Sequence, residues 1–518
     1  MRDGRARGAD ERRARAAAKR HRGTDGGDRR ERGDRRDRAR ESSRRSDEDS
    51  STSCAIVGAI AIVLGVALCG GTTIHRFWCC KHPEVSHAVV IRRRRRSPSP
   101  QSPSRADARA MRRWRALALV VALSRVAIFI ACARAPAAFT AALARRVELT
   151  SAVDALRRTL EGAHARAVFG ASAYDGSAFH GHPFVVFAVE RMARWAGSGT
   201  ATSGVGVELA TASAWLAADS VALAVLCALA TTVTTDMDGV FRVCALYALN
   251  PINAMALMAR SNAAVGRACV FASAFAASRG YVVAAGVASA MAMQMQPHVV
   301  VIVPALALMC SRHEWRRWAT LGGACAATHC ASAVVMGDDF SKWWSSAVLF
   351  AVRSEDQTPN LGLHWYLFTT MFDHFREFYV VALNAAPLAL AAPLAYRFSN
   401  RPLTALVLSL IVATICAPYP TLSDVVTYMS LLSVIAIDES GNPLAYMKGG
   451  VLIAGGFLYA LLLSPIVWYM WIHTRVANAN FFYAITLVFA ITQLVLLGQV
   501  TQSVVAFDRA RKLTKKTR

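Results

Sequence analysis

The sequence has no Asn-X-Ser/Thr acceptor, no zinc-type spacing among its cysteines, and no nucleophile set in a motif with a partnered histidine and acid. The first absence removes an N-linked glycan, the second a structural zinc site, and the third the usual hydrolytic centres. No metal, cofactor or catalytic residue is expected. Acidic residues are scarce, 34 against 59 Lys and Arg, which leaves a net charge of +25. The surplus does not point to nucleic acid, because of where it lies. Residues 1–110 hold 27 of the basic and 14 of the acidic residues, and much of the remainder flanks apolar segments, at Arg112, Arg113 and Arg115, at Arg312, Arg316 and Arg317, and at the C-terminal tail. Basic residues beside spans mark cytosolic sides.

Long polar stretches are also missing beyond residue 116. The chain is 54% hydrophobic, with a mean hydropathy of +0.32, too apolar over its length for a soluble protein of this size. Runs approaching the ~20 residues that cross a bilayer recur from Leu117 to Gln502. Only helices satisfy their own backbone in lipid, so the predicted fold class is all-α, a polytopic transmembrane helical protein. The runs lie near 117–134, 183–195, 207–233, 240–259, 264–278, 281–309, 319–336, 361–397 (two spans), 403–417, 421–437, 449–472 and 481–503, about a dozen in all. Of the twelve cysteines, Cys132, Cys227, Cys244, Cys269, Cys310, Cys325, Cys330 and Cys416 lie within apolar stretches and read as small core residues. Cys79 and Cys80 read as a cytosolic pair, with palmitoylation as the alternative.

Two regions follow. Residues 1–110 form an Arg-rich extension, largely disordered, with a short apolar run at 54–70 and a basic Ser/Pro linker after Arg92–Arg96. Residues 111–518 form the membrane domain, and Met111 is a plausible native start. Arg112–Arg115 and the tail at 508–518 place both ends in the cytosol and the loop at 135–182 in the lumen. Within that loop Val147, Leu149, Val153, Leu156 and Leu160 recur at helical spacing between arginines.

Three segments draw attention. Asn478-Ala479-Asn480-Phe481-Phe482-Tyr483 precedes the last run; asparagine caps a helix whose N–H groups and dipole favour an anion such as a lipid phosphate, and the rings suit headgroup depth. The plain alternative is a capped helix with an aromatic belt. Thr358-Pro359-Asn360-Leu361-Gly362-Leu363-His364-Trp365-Tyr366 reads as a helix start with aromatics that line a lipid groove or pack helices, followed by Asp373 and His374, either intramembrane polar contacts or the watery end of a span. In Tyr419-Pro420-Thr421-Leu422-Ser423-Asp424, Thr421 and Asp424 have capping-box spacing, which explains both without chemistry.

In this order, with Ala173-Tyr174-Asp175-Gly176-Ser177-Ala178-Phe179-His180, these segments resemble the PIG-U family, from about Met111 to Phe507. The resemblance implies an architecture like that of polytopic glycosyltransferases of the endoplasmic reticulum, and a non-catalytic, multi-pass subunit of the GPI transamidase in that membrane. Its implied partners are the other transamidase subunits, including the cysteine-protease-like one that carries the nucleophile, the GPI lipid, and precursor proteins with C-terminal GPI signals. It makes Asn478, Asn480 and Phe481 the leading lipid contacts, with Phe482, Tyr483, Asn360, Trp365 and Tyr366 beside them and Asp373, His374 and Asp424 as further polar contacts. Lys515 and Lys516 resemble a dilysine retrieval signal, against a generic basic tail. The rival is a dolichol-phosphate-mannose-dependent mannosyltransferase, which Asn250-Pro251 and Arg260-Ser261-Asn262 resemble; such enzymes carry an acidic pair in the first lumenal loop, whereas the matching stretch here, 149–155, has one aspartate, Asp154, and no Asp-X-Asp. A transporter is disfavoured by the lack of a repeat with paired intramembrane charges.

Overall fold

A computed structural model describes residues 119–128, 130–131, 137–176, 178–195, 205–312, 314–336 and 339–516. The extension at 1–110, with its apolar run and linker, and the start at Met111 lie outside the described residues. All described residues belong to one compact unit, Ala59–Arg518.

The described residues are helical and contain no strand. In chain order, α1 is Leu119–Ile128; the others are α2 (Ala137–Ala144), α3 (Leu156–Phe169), α4 (Pro183–Trp195), α5 (Val205–Val233), α6 (Met237–Ala248), α7 (Pro251–Met258), α8 (Ala263–Ser278), α9 (Val282–Met295), α10 (Val303–Cys310), α11 (Trp315–Met336), α12 (Asp339–Trp343), α13 (Phe350–Arg353), α14 (His364–Thr370), α15 (Asp373–Arg397), α16 (Pro402–Cys416), α17 (Leu422–Ile435), α18 (Gly450–Ile472) and α19 (Ala479–Lys516).

Helix starts follow their capping residues. The Asp236 carboxylate accepts from the N–H groups of Asp238 and Gly239 at the head of α6, Asn250 does the same for α7 ahead of Pro251, and Thr421 with Asp424 closes the predicted capping box on α17. Thr358-Pro359 does not open a helix. The Asp356 carboxylate takes the Thr358 N–H at 2.8 Å and Asn360 takes the Gly362 N–H at 2.6 Å, so the chain stays in a loop until His364. The helical spacing across 147–160 is likewise broken, because the Asp154 carboxylate caps the turn at Ser151 and α3 begins only at Leu156.

The dozen apolar runs become helices, but most are too short to cross a bilayer alone. Four are long and apolar enough, Ala210–Val233, Asp373–Arg397, Gly450–Ile472 and Ala479–Thr514, and the count reaches six if the bent pairs α6/α7 and α11/α12–α13 are each one span. The other apolar helices have 10–17 residues, and at ~1.5 Å per residue these fall short of the ~30 Å hydrocarbon core. The predicted run at 281–309 splits where Pro297 follows Gln296, and a 3-10 turn joins α9 to α10.

At the centre α16 is buried on nearly every face, packed by α15, α17 and α19. Alanine, glycine and serine dominate α8 and α9, and a Cβ at Gly286 would lie 2.7 Å from the Leu321 carbonyl of α11, so these backbones approach as membrane helices rich in small residues do. Cys227 and Cys244, read as small core residues, are buried and paired as a disulfide between α5 and α6. By contrast α15 and α18 are mostly exposed, with apolar side chains such as Phe378, Val451 and Leu452 outward, as lipid-facing spans require.

Candidate functional site

Two of the predicted segments, more than a hundred residues apart, meet. Asn478 sits in the loop between α18 and α19, and its side-chain oxygen accepts the N–H groups of Asn480 (3.0 Å) and Phe481 (3.3 Å), capping α19. The Tyr366 hydroxyl, on α14, donates to the Asn480 side-chain oxygen. The Tyr366 and Tyr483 rings stack at 4.3 Å, and Trp365, Trp468, Trp471 and Phe482 complete the cluster at centroid separations of 5.3–6.2 Å. Such contacts add roughly 0.5–1.5 kcal/mol per aromatic pair beyond burial, so the cluster ties α14 rigidly to α18 and α19.

Within it the predicted residues divide. Trp365 is 3% exposed and Phe482 fully buried, whereas Phe481 is 60% exposed. Asn478 and Asn480 are exposed, their amide oxygens are used internally, and their NH2 groups have no acceptor among the described residues. The Trp365 indole N–H is buried without a partner. Two amide donors, the positive end of the α19 dipole and an exposed phenyl ring thus share one edge, suited to an amphiphile with an anionic or hydroxyl-rich head.

Asn360 is buried and folds its own loop, accepting from the Gly362 N–H and donating to the Thr358 carbonyl. Beneath it His364 receives the Ser354 hydroxyl at Nδ1 (2.6 Å) and donates from Nε2 to the Cys416 carbonyl (3.0 Å). Burial lowers its pKa to about 4, so the ring is a neutral brace. Asp373 and His374 are exposed at the head of α15. Lys515 and Lys516 end α19, and their side chains lie outside the described residues.

Asp424 does more than cap. It also receives Gln296 Nε2 at 2.8 Å and lies 3.7 Å from His298, on the wall of a cavity of about 260 Å³ that Asp154, Asn384 and Tyr419 also line. The sequence signalled Asp154 only as an unpaired acid; its place opposite Asp424 depends on tertiary packing.

A second polar cluster went unread. Arg125 of α1 pairs with Asp219 of α5 at 2.5 Å, and Asp219 also receives Tyr247 of α6 and Asn253 of α7 (3.0 Å). Arg267 of α8 reaches the Asn253 oxygen and lies over the Tyr247 ring. All five are buried. The signal was there to find, since ionisable residues inside apolar helices are rare and held in place by a reason.

The family described as GPI transamidase subunit PIG-U matches residues 121–489. A mouse protein named GPI-anchor transamidase component PIGU is 27% identical over 271 residues, 49% of this chain and 60% of its own length. The human protein of that name is 33% identical over 149 residues, 29% of this chain and 33% of its length. The Saccharomyces cerevisiae GPI transamidase component GAB1 is 34% identical over 141 residues, covering 27% and 34%. The matched parts thus span between about a third and three fifths of these relatives.

Proposed function

We propose, from the premise that this chain belongs to the PIG-U family, that it is a non-catalytic subunit of a GPI transamidase in the endoplasmic reticulum membrane and holds the GPI lipid for transfer to proteins. The observation that carries the site is the Tyr366–Asn480 hydrogen bond, which joins two family-like segments into one edge where a buried aromatic platform supports exposed amides and Phe481. Amide N–H groups suit a phosphoethanolamine-bearing glycan, and the exposed phenyl suits the acyl boundary. The partners would be the other subunits, including one with the cysteine nucleophile, and precursors with C-terminal GPI signals. The apolar outer faces of α15 and α18 suit contact with lipid or partner helices.

The mannosyltransferase reading gains no support: Asp154 has no second aspartate beside it in the stretch 149–155, and three hydrogen bonds already satisfy most of it. In cells lacking this chain, mass spectrometry should find complete, ethanolamine-bearing GPI accumulating, and residues 111–518 added back should clear it; mannose-deficient GPI would mean a glycosyltransferase instead. Replacing Asn478 and Asn480 together by alanine should lower surface GPI-anchored reporter about tenfold, as expected for losing one or two hydrogen bonds to a charged group, with the complex still assembled. Normal anchoring in a well-expressed double variant would remove this edge as the lipid site.

A further inference from the structure

The cavity beneath the 416–421 loop has a polarity that selects its occupant. Its polar wall sets two carboxylates from separate elements, Asp154 from the turn before α3 and Asp424 from the first turn of α17, beside Ser151, Gln296, His298, Asn384 and Tyr419; Leu383 of α15, with its backbone carbonyl, lies in the same wall. That carbonyl lacks its regular helical donor, because the residue four positions on is Pro387, which has no N–H. A carboxylate offers about four acceptor positions. Asp154 takes Ser151 N–H, the Ser151 hydroxyl and the Ser261 hydroxyl, and Asp424 takes Thr421 twice and Gln296 and has His298 3.7 Å away, so Asp154 keeps a place to spare and Asp424 keeps one near that imidazole. The remaining wall is apolar, formed by residues such as Val153, Val301, Ala351 and Ala413.

The rim completes the argument. Of the lining residues, those classed as exposed are Val300, Val352 and Leu388, all apolar, and Leu388 lies on the lipid-facing span α15. A ligand that enters past three aliphatic side chains comes from the hydrocarbon phase, and one that meets both carboxylates and the amide, imidazole and hydroxyl groups beside them carries several hydroxyl or amine groups on a ring. Two carboxylates on the wall weigh against an anionic head.

We propose that this cavity binds the sugar of a glycolipid, a hydroxyl- and amine-bearing ring held between Asp154 and Asp424, with the hydrocarbon chain leaving over Val300, Val352 and Leu388. That the glycolipid is GPI rests on the function proposed above; the cavity would take its membrane-proximal amino sugar, while the Asn478–Asn480 edge takes the distal end. Burial, helped by the neighbouring Asp424 charge, raises the Asp154 pKa to about 6, so at pH 7 it is ionised and accepts from hydroxyl or ammonium donors.

The test uses the full chain solubilised with its co-purifying subunits and titrated, by native mass spectrometry, with glucosaminyl-phosphatidylinositol and with phosphatidic acid of matched chains. The sugar lipid should bind about tenfold more tightly than phosphatidic acid, the worth of a hydrogen bond to a charged acceptor. Asp154→Asn and the rim plug Leu388→Trp should each remove that advantage, and Leu388 is 52% exposed, so its variant keeps the fold. The Asn478→Ala/Asn480→Ala variant should bind this short probe normally even where it fails in anchoring. Equal binding of both lipids, or undiminished sugar-lipid binding by Leu388→Trp, overturns the cavity and leaves the amide edge standing. Normal anchoring by the double amide variant, with sugar-lipid binding still sensitive to Leu388→Trp, overturns the edge and leaves the cavity.

Discussion

Asp154 shows how a single residue's chemistry depends on what closes over it. In solution its carboxyl titrates near 3.8; in the folded chain burial, partly offset by the serine hydrogen bonds, moves it to about 6. A folded pKa above the unfolded one means that the native state holds the proton more tightly between these values, so this group's contribution falls as pH rises through them and its cost is full above pH 6. His182 and His364 act oppositely. Burial lowers both to about 4, so their contributions are lost as pH falls from about 6.5 toward 4. The net profile mixes these trends, and the Asp154 share is isolated only by difference. The stability of Asp154→Asn relative to the parent should increase by about 3 kcal/mol from pH 4 to pH 7, two pKa units at ~1.4 kcal/mol each, read as the gap between their denaturation midpoints; a gap independent of pH would mean that the carboxylate is not desolvated. At this scale the sequence was legible where a residue's partner is local. Thr421 and Asp424 announce their capping box from spacing alone, and so does the Asn478 cap. Asn360 and Phe482, grouped with the lipid contacts by resemblance, lie buried in packing that spacing does not encode.

Among the elements, apolar run and helix correspond closely, but run and span do not. Helices of ten to seventeen residues such as α1, α8, α16 and α17 cannot each cross a bilayer of ~30 Å, so their ends must be held by neighbours. The Arg125–Asp219–Tyr247–Asn253–Arg267 cluster serves this purpose, since it fastens five helices, α1 and α5 through α8, through side chains rather than length. Taking one member from a buried ion pair strands the other charge, at a cost of about 3–5 kcal/mol. Asp219→Leu alone should therefore sharply reduce folded protein recovered from membranes and lower its melting midpoint. Combining it with Arg125→Met should restore most of both. A double variant no better than the single would show that the pair is needed for more than mutual neutralisation. Nothing in the apolar pattern joins these residues, because Arg125 and Asp219 belong to different apolar runs and periodicity says nothing about which helices touch.

Apart from that buried cluster, the polar features of the candidate sites and of the tail sort to opposite ends of the helices. The loop after α16 and the start of α17 carry Cys416 and Asp424; His364 ties that loop to α14, and Tyr366 ties α14 to the head of α19. The amide edge and the cavity are therefore at the same end. At the other end Arg401, just before α16, pairs with Asp438 after α17 (2.5 Å) and with Asp508 near the end of α19 (2.9 Å). The basic tail follows Asp508 directly, and basic tails stay in the cytosol. If both candidate sites serve a lumenal reaction, they must face away from the tail, and α19, 38 residues long, spans the distance between. In sealed microsomes of a variant with the exposed Cys330 changed to serine, Leu513→Cys should react at once with a membrane-impermeant maleimide. Phe481→Cys should react only after the membrane is opened by detergent. Both positions are well exposed, at 66% and 60%, so silence reports the barrier and not burial. The reverse pattern would put the amide edge and the cavity in the cytosol, beyond the reach of a lumenal transfer. Equal labelling of both would mean that α19 does not cross.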